Sequence, residues 1–501
     1  MAQEEVKFKR LLIGPLVCAF ILNAAYPPLG WSVLAFFLLV PLLPHMQLSW
    51  KKRFLWGWAA GFAMQASAFW WIFITIRDFG GQPLWVCSVG SLLFWAYHGL
   101  DMALWLCLAP LTAPFKSPFL RAMGYAATWY VIQLELFPYV FPWNLGSALA
   151  GTPLLGDGLA LWGADGVTFL VAFIGISLVL SRQEVTHRGW ALVPLFGLAT
   201  LCIGSLLPNP HEDGEIKVAV IQPNLIPWAK RESLAAYEFY EAHALPSRRI
   251  APQADLIAWP ETALPFPLDQ APQYQDELQR LVEMIDTPII LGAVGSAPND
   301  LLTNEIWLFA PHEPPQRYVK NKLVLFSESL PWLLKWAAYF DPNLGAFVPG
   351  KDTLILRIGD VEIVPLVCYE ATFPRFVSQF PGGNLMVNLT NDAWFGKTQA
   401  SSQHLQLVRG RSVERGVPLV RATNSGISCW VDPQGEIHGA TSLYQAESPV
   451  YHIPYQVFPS PNPWCLLGPK ALRIAVWLWL LASTLLSIWS LKSDAQTSNL
   501  A

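Results

Sequence analysis

Charge is scarce in this chain. Only 14% of its 501 residues are Asp, Glu, Lys or Arg, against roughly 25% in an average soluble domain, so the whole chain does not read as ordinary globular protein. No basic tract occurs and the formal net charge is −4, which leaves nucleic-acid binding without an electrostatic footprint. The seven cysteines, Cys18, Cys87, Cys107, Cys202, Cys368, Cys429 and Cys465, form no CxxC pair. Neither a disulfide framework nor a zinc site is therefore read, and no metal or other cofactor is expected. Four of the seven lie in apolar spans, where packing as a small hydrophobe is the ordinary role. Cys368 is left free to act as a thiolate.

Long apolar runs, in contrast, are plentiful. They fill the first two hundred or so residues and return near 470–491. A bilayer core of about 30 Å needs roughly 20 apolar residues as a helix, and eight candidate spans follow: 11–25, 31–46, 54–76, 84–111, 122–137, 167–180, 190–207 and 472–491. The first, second and sixth are short enough to be re-entrant. Lys7, Lys9 and Arg10 before the first run also fit a signal peptide, but Tyr26-Pro27-Pro28 leads straight into another apolar span, which favours a retained helix. Lys51, Lys52 and Arg53, then Lys116 and Arg121, then Arg182 and Arg188 occupy every second loop. The positive-inside rule then puts the N-terminus in the cytoplasm and the block after the seventh span outside. Lys470 and Arg473 at the outer end of the last span argue mildly the other way. The expected organisation is seven transmembrane helices over 1–210, an extracytoplasmic domain over 211–465, and a last helix with a short cytoplasmic tail over 466–501.

From Ile216 onward, short β-like runs alternate with charged amphipathic segments. IKVAVIQPN, DLIAWPET, PIILGAVGS, NEIWLFA, TLILRIGDVEIVPLVCYE, NLMVNLTND and PLVRATNSGISCWV read as strands. Gly359-Asp360 is a hairpin turn inside the fifth. Residues 231–244, 273–285 and 403–415 read as helices from their three- and four-residue apolar spacing. Apolar strands separated by helices predict a layered α/β sandwich.

Three residues at the ends of such runs carry the chemistry: Glu261 in IAWPETALPF, Lys320 in RYVKNKLVLFSE and Cys368 in VEIVPLVCYE. A thiol is mostly protonated at neutral pH, with a free pKa near about 8.5. As a nucleophile it needs a base, which Glu261 can supply, and a cation or N–H for the oxyanion, which Lys320 can supply. Each residue alone is more simply read as buried filler or a solvated surface charge. Together, flanked by membrane spans, they point to acyl transfer through a thioester with lipid as the acyl source.

The stretches WPET, YVKNKLVLFSE, VCYE and NLTNDAWFG resemble the signature segments of the nitrilase superfamily. Within it, NDAWFG, RGVPLVRATNSGIS and DPQGEI are similar to the membrane-fused branch, the apolipoprotein N-acyltransferases. The resemblance implies a nitrilase-like αββα sandwich on a multi-span α-helical membrane domain, with Glu261, Lys320 and Cys368 as its catalytic set. It also implies a phospholipid donor, usually phosphatidylethanolamine, and a diacylglyceryl-apolipoprotein acceptor, at the extracytoplasmic face of a bacterial cytoplasmic membrane. Glu328 would orient Lys320; the Tyr369 N–H is a plausible oxyanion donor; Glu370 fits a structural role. Asn391, Asp392 and Trp394 fit a pocket wall or a turn held by Asx hydrogen bonds. The family's PFGE is Leu325-Phe326-Ser327-Glu328 here, which alters the turn that aims Glu328. Trp228 is only a loose match to a family tryptophan, and an interfacial anchor suits it equally. Trp332, Trp336 and Tyr339, with Lys335, fit either core packing or an aromatic arm lying at the membrane interface. His404, with no partner evident in the sequence, reads as a structural or surface histidine.

Two other readings compete. A membrane-anchored amidase or nitrile hydrolase would use the same residues with water in place of the amine, and would need no lipid access. A transporter or scaffold would make Cys368 dispensable and would place ionisable residues within the spans, where Asp101 and Glu135 are the few candidates.

Overall fold

The computed structural model describes residues 2–112, 117–183, 192–208, 212–225, 236–331 and 345–498. The chain divides into two units, Met1–Pro208 with Asn462–Ala501, and Asn209–Pro461.

The first unit is helical. Among the described residues, three helices are long and apolar enough to cross a membrane: Leu84–Thr112, Gly158–Arg182 and Pro463–Leu486. A fourth arises if Trp50–Ala68 and Ile72–Phe79, bent by 62° at their break, count as one span. The run expected at 167–180 is thus part of a longer helix. The stretch at 31–46 forms two 3₁₀ segments, Ser32–Phe37 and Val40–Gln47, where Pro41 and Pro44 each withhold a backbone donor. Helix Trp50–Ala68 carries Gly57 and Gly61, four residues apart on one face. A Cβ at Gly57 would sit 2.6 Å from the Met102 carbonyl oxygen, and one at Gly61 would strike the backbone of Gly99. Two backbones meet there through small residues, as apolar helices do when no hydrophobic force drives them together. The two ionisable candidates in or near the spans have partners. Asp101 accepts the Tyr139 hydroxyl at 2.8 Å. Glu135 binds Arg473 of the last helix at 3.1 Å, which gives that arginine a structural partner.

The second unit is the expected αββα sandwich. Thirteen strands are described: β1 Gly214–Val220, β2 Leu256–Ala258, β3 Leu264–Pro267, β4 Ile289–Ala297, β5 Leu301–Phe309, β6 Gln316–Val319, β7 Leu356–Ile358, β8 Val361–Val367, β9 Leu385–Thr390, β10 Leu419–Thr423, β11 Cys429–Val431, β12 Ile437–His438 and β13 Val450–Tyr455. One sheet runs β13-β1-β2-β4-β5-β6 with β3 beside β4, and the other runs β12-β11-β10-β9-β8-β7. Strand periodicity explains how they stack. Val218, Val220, Leu256, Ala258, Ile290, Ile306 and Leu308 point inward to a core shared with Leu366, Val387 and Val420 of the other sheet. Their alternates Ala219, Ile221, Ile257, Trp259, Ile289, Leu291, Trp307 and Phe309 pack with Leu278, Leu281 and Val282 of helix Pro272–Ile285. Helix Ala400–Arg415 contributes Leu405 and Val408 to the core of the second sheet.

Several local expectations shift. PLVRATNSGISCWV is two antiparallel strands, β10 and β11, because the chain turns at 424–428. β6 is the run that Lys320 closes, whereas β3, β12 and β13 were not anticipated; β3 and β13 contain proline, and β12 has two residues. The helix placed at 231–244 is described from Ala236 and runs to Ile250. The Gly359-Asp360 turn joins β7 to β8 as expected.

Candidate active site

The parallel strands set the site. Glu261 lies just past β2, Cys368 begins at the end of β8, Asn391 follows β9 and Asn424 follows β10, so the carboxyl ends of both sheets deliver their polar residues. Lys320 follows β6.

Cys368 is half-buried and starts a short 3₁₀ turn, Cys368–Thr372, with φ at 49°. Left-handed backbone costs a non-glycine residue about 1–3 kcal/mol and persists only when its surroundings fix it. Asn388 Nδ2 donates to the Cys368 carbonyl at 3.2 Å, and the Val367 N–H donates to Glu370 Oε2 at 2.9 Å. Burial pushes the Cys368 thiol well above its ordinary value, and the charge of Glu261 adds to this. Lys320 pulls the other way without offsetting them. Cys368 therefore rests as a thiol and would need a neighbouring base to act as a nucleophile.

Lys320 is fully buried between two carboxylates, 3.2 Å from Glu261 Oε1 and 2.8 Å from Glu328 Oε1. Burial works against its charge, but Glu328 and Glu261 outweigh that and hold its pKa above the ordinary lysine value. It stays a cation at neutral pH. Asn304 Nδ2 bridges the same two oxygens, at 2.9 Å and 2.8 Å. The Asn391 N–H donates to Glu261 Oε2 at 3.0 Å. Every one of these hydrogen bonds Glu261 accepts. Gly292 is required beside it: a Cβ there would lie 2.6 Å from the Glu261 Cα.

The departure from PFGE costs little. Phe326, with φ at 67°, is the left-handed residue of that turn, and Ser327 has no positive φ. The Val324 N–H holds Glu328 Oε2 at 2.8 Å while Oε1 meets Lys320.

Glu370 is wholly buried and ties the loop after Lys320 to the loop that starts at Cys368. It accepts the N–H groups of Asn321, Lys322 and Val367 and the Tyr318 hydroxyl. Burial pushes its carboxyl up to about 7, against the pull of the Val367 and Asn321 N–H groups and Lys320. Tyr369 is buried and packs edge-on against Phe373 at 4.8 Å between ring centroids.

Asn391 and Trp394 flank a second buried cluster. Asn391 Oδ1 accepts from the Ala393 N–H in an Asx-type turn, and Trp394 is half-buried on that turn. His404 is not a surface residue and does have a partner: it is buried with Nδ1 2.9 Å from Asp392 Oδ1. Burial, then the charge of Arg421, lowers its pKa. Burial alone would raise Asp392, but Arg421 and His404 bring it down to about 2. Trp228, Trp332, Lys335, Trp336 and Tyr339 lie outside the described residues. The three-residue group Asp432, Glu436 and His438 has ligand-type atoms close together, but Asp432 is occupied by the N–H groups of Gln434 and Glu436 and by His438.

Asn304 and Arg421 were not singled out from the sequence, and Asp392 was read only as a pocket wall or turn residue. The available signal was parity: Asn304 shares the inward face of β5 with Ile306 and Leu308, where a polar side chain needs a partner.

The carbon-nitrogen hydrolase family model matches residues 217–451. The model of the apolipoprotein N-acyltransferase N-terminal domain matches 18–177. An amidase from Nesterenkonia sp. aligns at TM-score 0.40 and 19% identity, covering 52% of this chain and 95% of that one. An apolipoprotein N-acyltransferase of Allorhizobium ampelinum is 30% identical over 462 residues, 84% of this chain and 85% of the relative. That of Geobacter metallireducens is 30% identical over 458 residues, 85% of this chain and 86% of the relative. With such identity along most of both sequences, this chain belongs to the apolipoprotein N-acyltransferase family.

Proposed function

We propose that this protein N-acylates apolipoproteins through a thioester on Cys368, with a membrane phospholipid as donor. Glu261 takes the thiol proton as sulfur attacks the ester carbonyl carbon. Lys320 and the Tyr369 N–H meet the oxyanion. The tetrahedral intermediate collapses with loss of the C–O bond, the proton passes to the departing glycerol oxygen, and lysophospholipid leaves. The α-amino group of the acceptor's diacylglyceryl-cysteine then attacks the thioester. Glu261 accepts the amine proton and returns it to the sulfur as the C–S bond breaks.

The observation that carries this reading is a buried lysine clamped by Glu261 and Glu328, with the strained strand-end thiol Cys368 within reach of its charge. A permanent cation suits an oxyanion, and a protonated thiol calls for a base. Glu328 and Asn304 orient Lys320, Glu370 braces the two loops, and Asn391 and Trp394 line the approach. Phosphatidylethanolamine is the proposed donor. The loop charges favour seven spans, an outer catalytic domain and a last returning span, in a bacterial cytoplasmic membrane. The N-terminal match to the acyltransferase branch favours an amine acceptor over the water of an amidase.

Incubation of the purified protein with phospholipid alone, followed by mass spectrometry, should find one acyl chain on Cys368. Cys368→Ala should abolish transfer and Cys368→Ser nearly so. Normal turnover by folded Cys368→Ala protein would end the thioester reading.

A further inference from the structure

Arg421 lies on β10, a strand whose neighbouring positions Leu419, Val420 and Ala422 are all buried apolar residues. Its guanidinium is fully buried. Taking such a cation out of water costs several kcal/mol, and packing alone would call for no charge there. Its contacts show what the charge does. Nη1 donates to Asn388 Oδ1 at 2.6 Å. Asn388 Nδ2 in turn donates to the carbonyls of Leu366 at 3.1 Å and Cys368 at 3.2 Å. Sheet register makes this row possible: Arg421 pairs with Asn388 on β9, and Asn388 pairs with Leu366 on β8. Nη2 donates to both oxygens of Asp392, at 3.0 Å and 2.9 Å. Asp392 directly follows Asn391, whose N–H holds Glu261 Oε2 at 3.0 Å. His404 and the close approach of Gly426, where a Cβ would lie 2.7 Å from Asp392, complete the confinement of that carboxylate.

We propose that Arg421 is a positioning residue for the acyl transfer: one arm of its guanidinium fixes the backbone turn that aims the Cys368 sulfur, and the other fixes the backbone N–H that aims the Glu261 carboxylate. The donor and acceptor of the proton are thereby referenced to one rigid planar group. Lysine cannot substitute, because a single ammonium on a flexible stem does not present donors in two fixed directions. This inference rests on the thioester reading above.

The test uses the full chain in mixed micelles with phospholipid. Arg421→Lys and Asn388→Ala should each slow single-turnover thioester formation tenfold or more at saturating phospholipid. The phospholipid concentration for half-maximal rate should move less than twofold. The double variant should lose much less than the product of the two single losses, because both act along one arm. Folded Arg421→Lys protein that acylates within threefold of the parent would overturn the proposal, as would fully multiplicative losses. If Arg421→Lys does not fold, Asn388→Ala decides alone, and acylation within threefold of the parent overturns it. The rate of Cys368 alkylation by iodoacetamide, read on the Cys368 peptide, separates this inference from the one beneath it. Should Cys368→Ala still transfer acyl groups, the thioester reading falls. Arg421 is then judged by that alkylation rate: a change of threefold or more in Arg421→Lys upholds its hold on the turn, and an unchanged rate removes it.

Discussion

Replacing Lys320 by Met tests the charge arrangement at its centre. The ammonium sits 3.2 Å and 2.8 Å from two carboxylate oxygens. At an effective dielectric of about 20, each pair is worth roughly 5–6 kcal/mol of gross attraction. Desolvating three buried charges takes most of that back, so the measurable cost of removing the cation alone is about 3–5 kcal/mol. For a unit of this size that lowers the unfolding midpoint by roughly 6–20 °C. Asn304 Nδ2 then remains 2.9 Å and 2.8 Å from two like charges, and one of them must take up a proton. Acylation should fall on the order of 10²-fold or more, the usual loss with an oxyanion stabiliser. The decisive variant is Lys320→Met with Glu328→Gln, which removes one negative charge along with the cation. It should recover half or more of the lost stability and none of the lost rate. Thermal unfolding in detergent and mass spectrometry of the thioester read the two quantities separately. Restored acylation in the double variant would refute the reasoning, because Lys320 would then serve only to neutralise Glu328. An unchanged midpoint in the single variant would refute the burial argument as well.

Two further outcomes are expected. The depressed Asp392 carboxyl, at about 2 against an ordinary 3.8, is worth about 2 kcal/mol of folding free energy. That contribution is present above about pH 4 and lost as pH falls through 2; unfolding midpoints taken between pH 5 and 2.5 should show the decline in the parent and a shallower one in Asp392→Asn, and parallel curves would count against it. Single cysteines at Gln183 and Asn299, in a chain stripped of its native ones, should react with an impermeant label from opposite sides of the membrane. Labelling of both from one side would remove the odd number of spans proposed before the catalytic domain.

What was legible in the sequence follows from how local each signal is. Alternation in IKVAVIQPN and NEIWLFA gave strands and their buried faces, because side chains change face at every residue. Glu261, Lys320 and Cys368 were legible because each closes a strand-like run with a residue type that carries chemistry. The partners were less so. Asn304 is flanked by Thr303 and Glu305 and does not stand out in its strand until Glu261 and Glu328, 43 and 24 positions away, converge on its amide. His404 gave no hint of Asp392, twelve residues earlier, because a helix must fold back over the turn before they meet. Edge strand β13 carries a proline among its six residues, which weakens it as a strand signal. The 3₁₀ course of 32–47 was not read either, since hydropathy reports how apolar a segment is and not how tightly it winds.

Glu370 has a consequence for how such an enzyme can diversify. Its single carboxylate gathers N–H groups from both the loop beyond Lys320 and the strand end before Cys368. Lys320 and Cys368 therefore move as one body, and a displacement of either carries the other with it. The loops that leave this body can lengthen, shorten or change their side chains without altering the spacing of Lys320 and Cys368. Selection on what enters the pocket is uncoupled from selection on what happens there. A lineage facing new membrane lipids or new acceptor proteins could remodel the entrance and inherit the reaction intact.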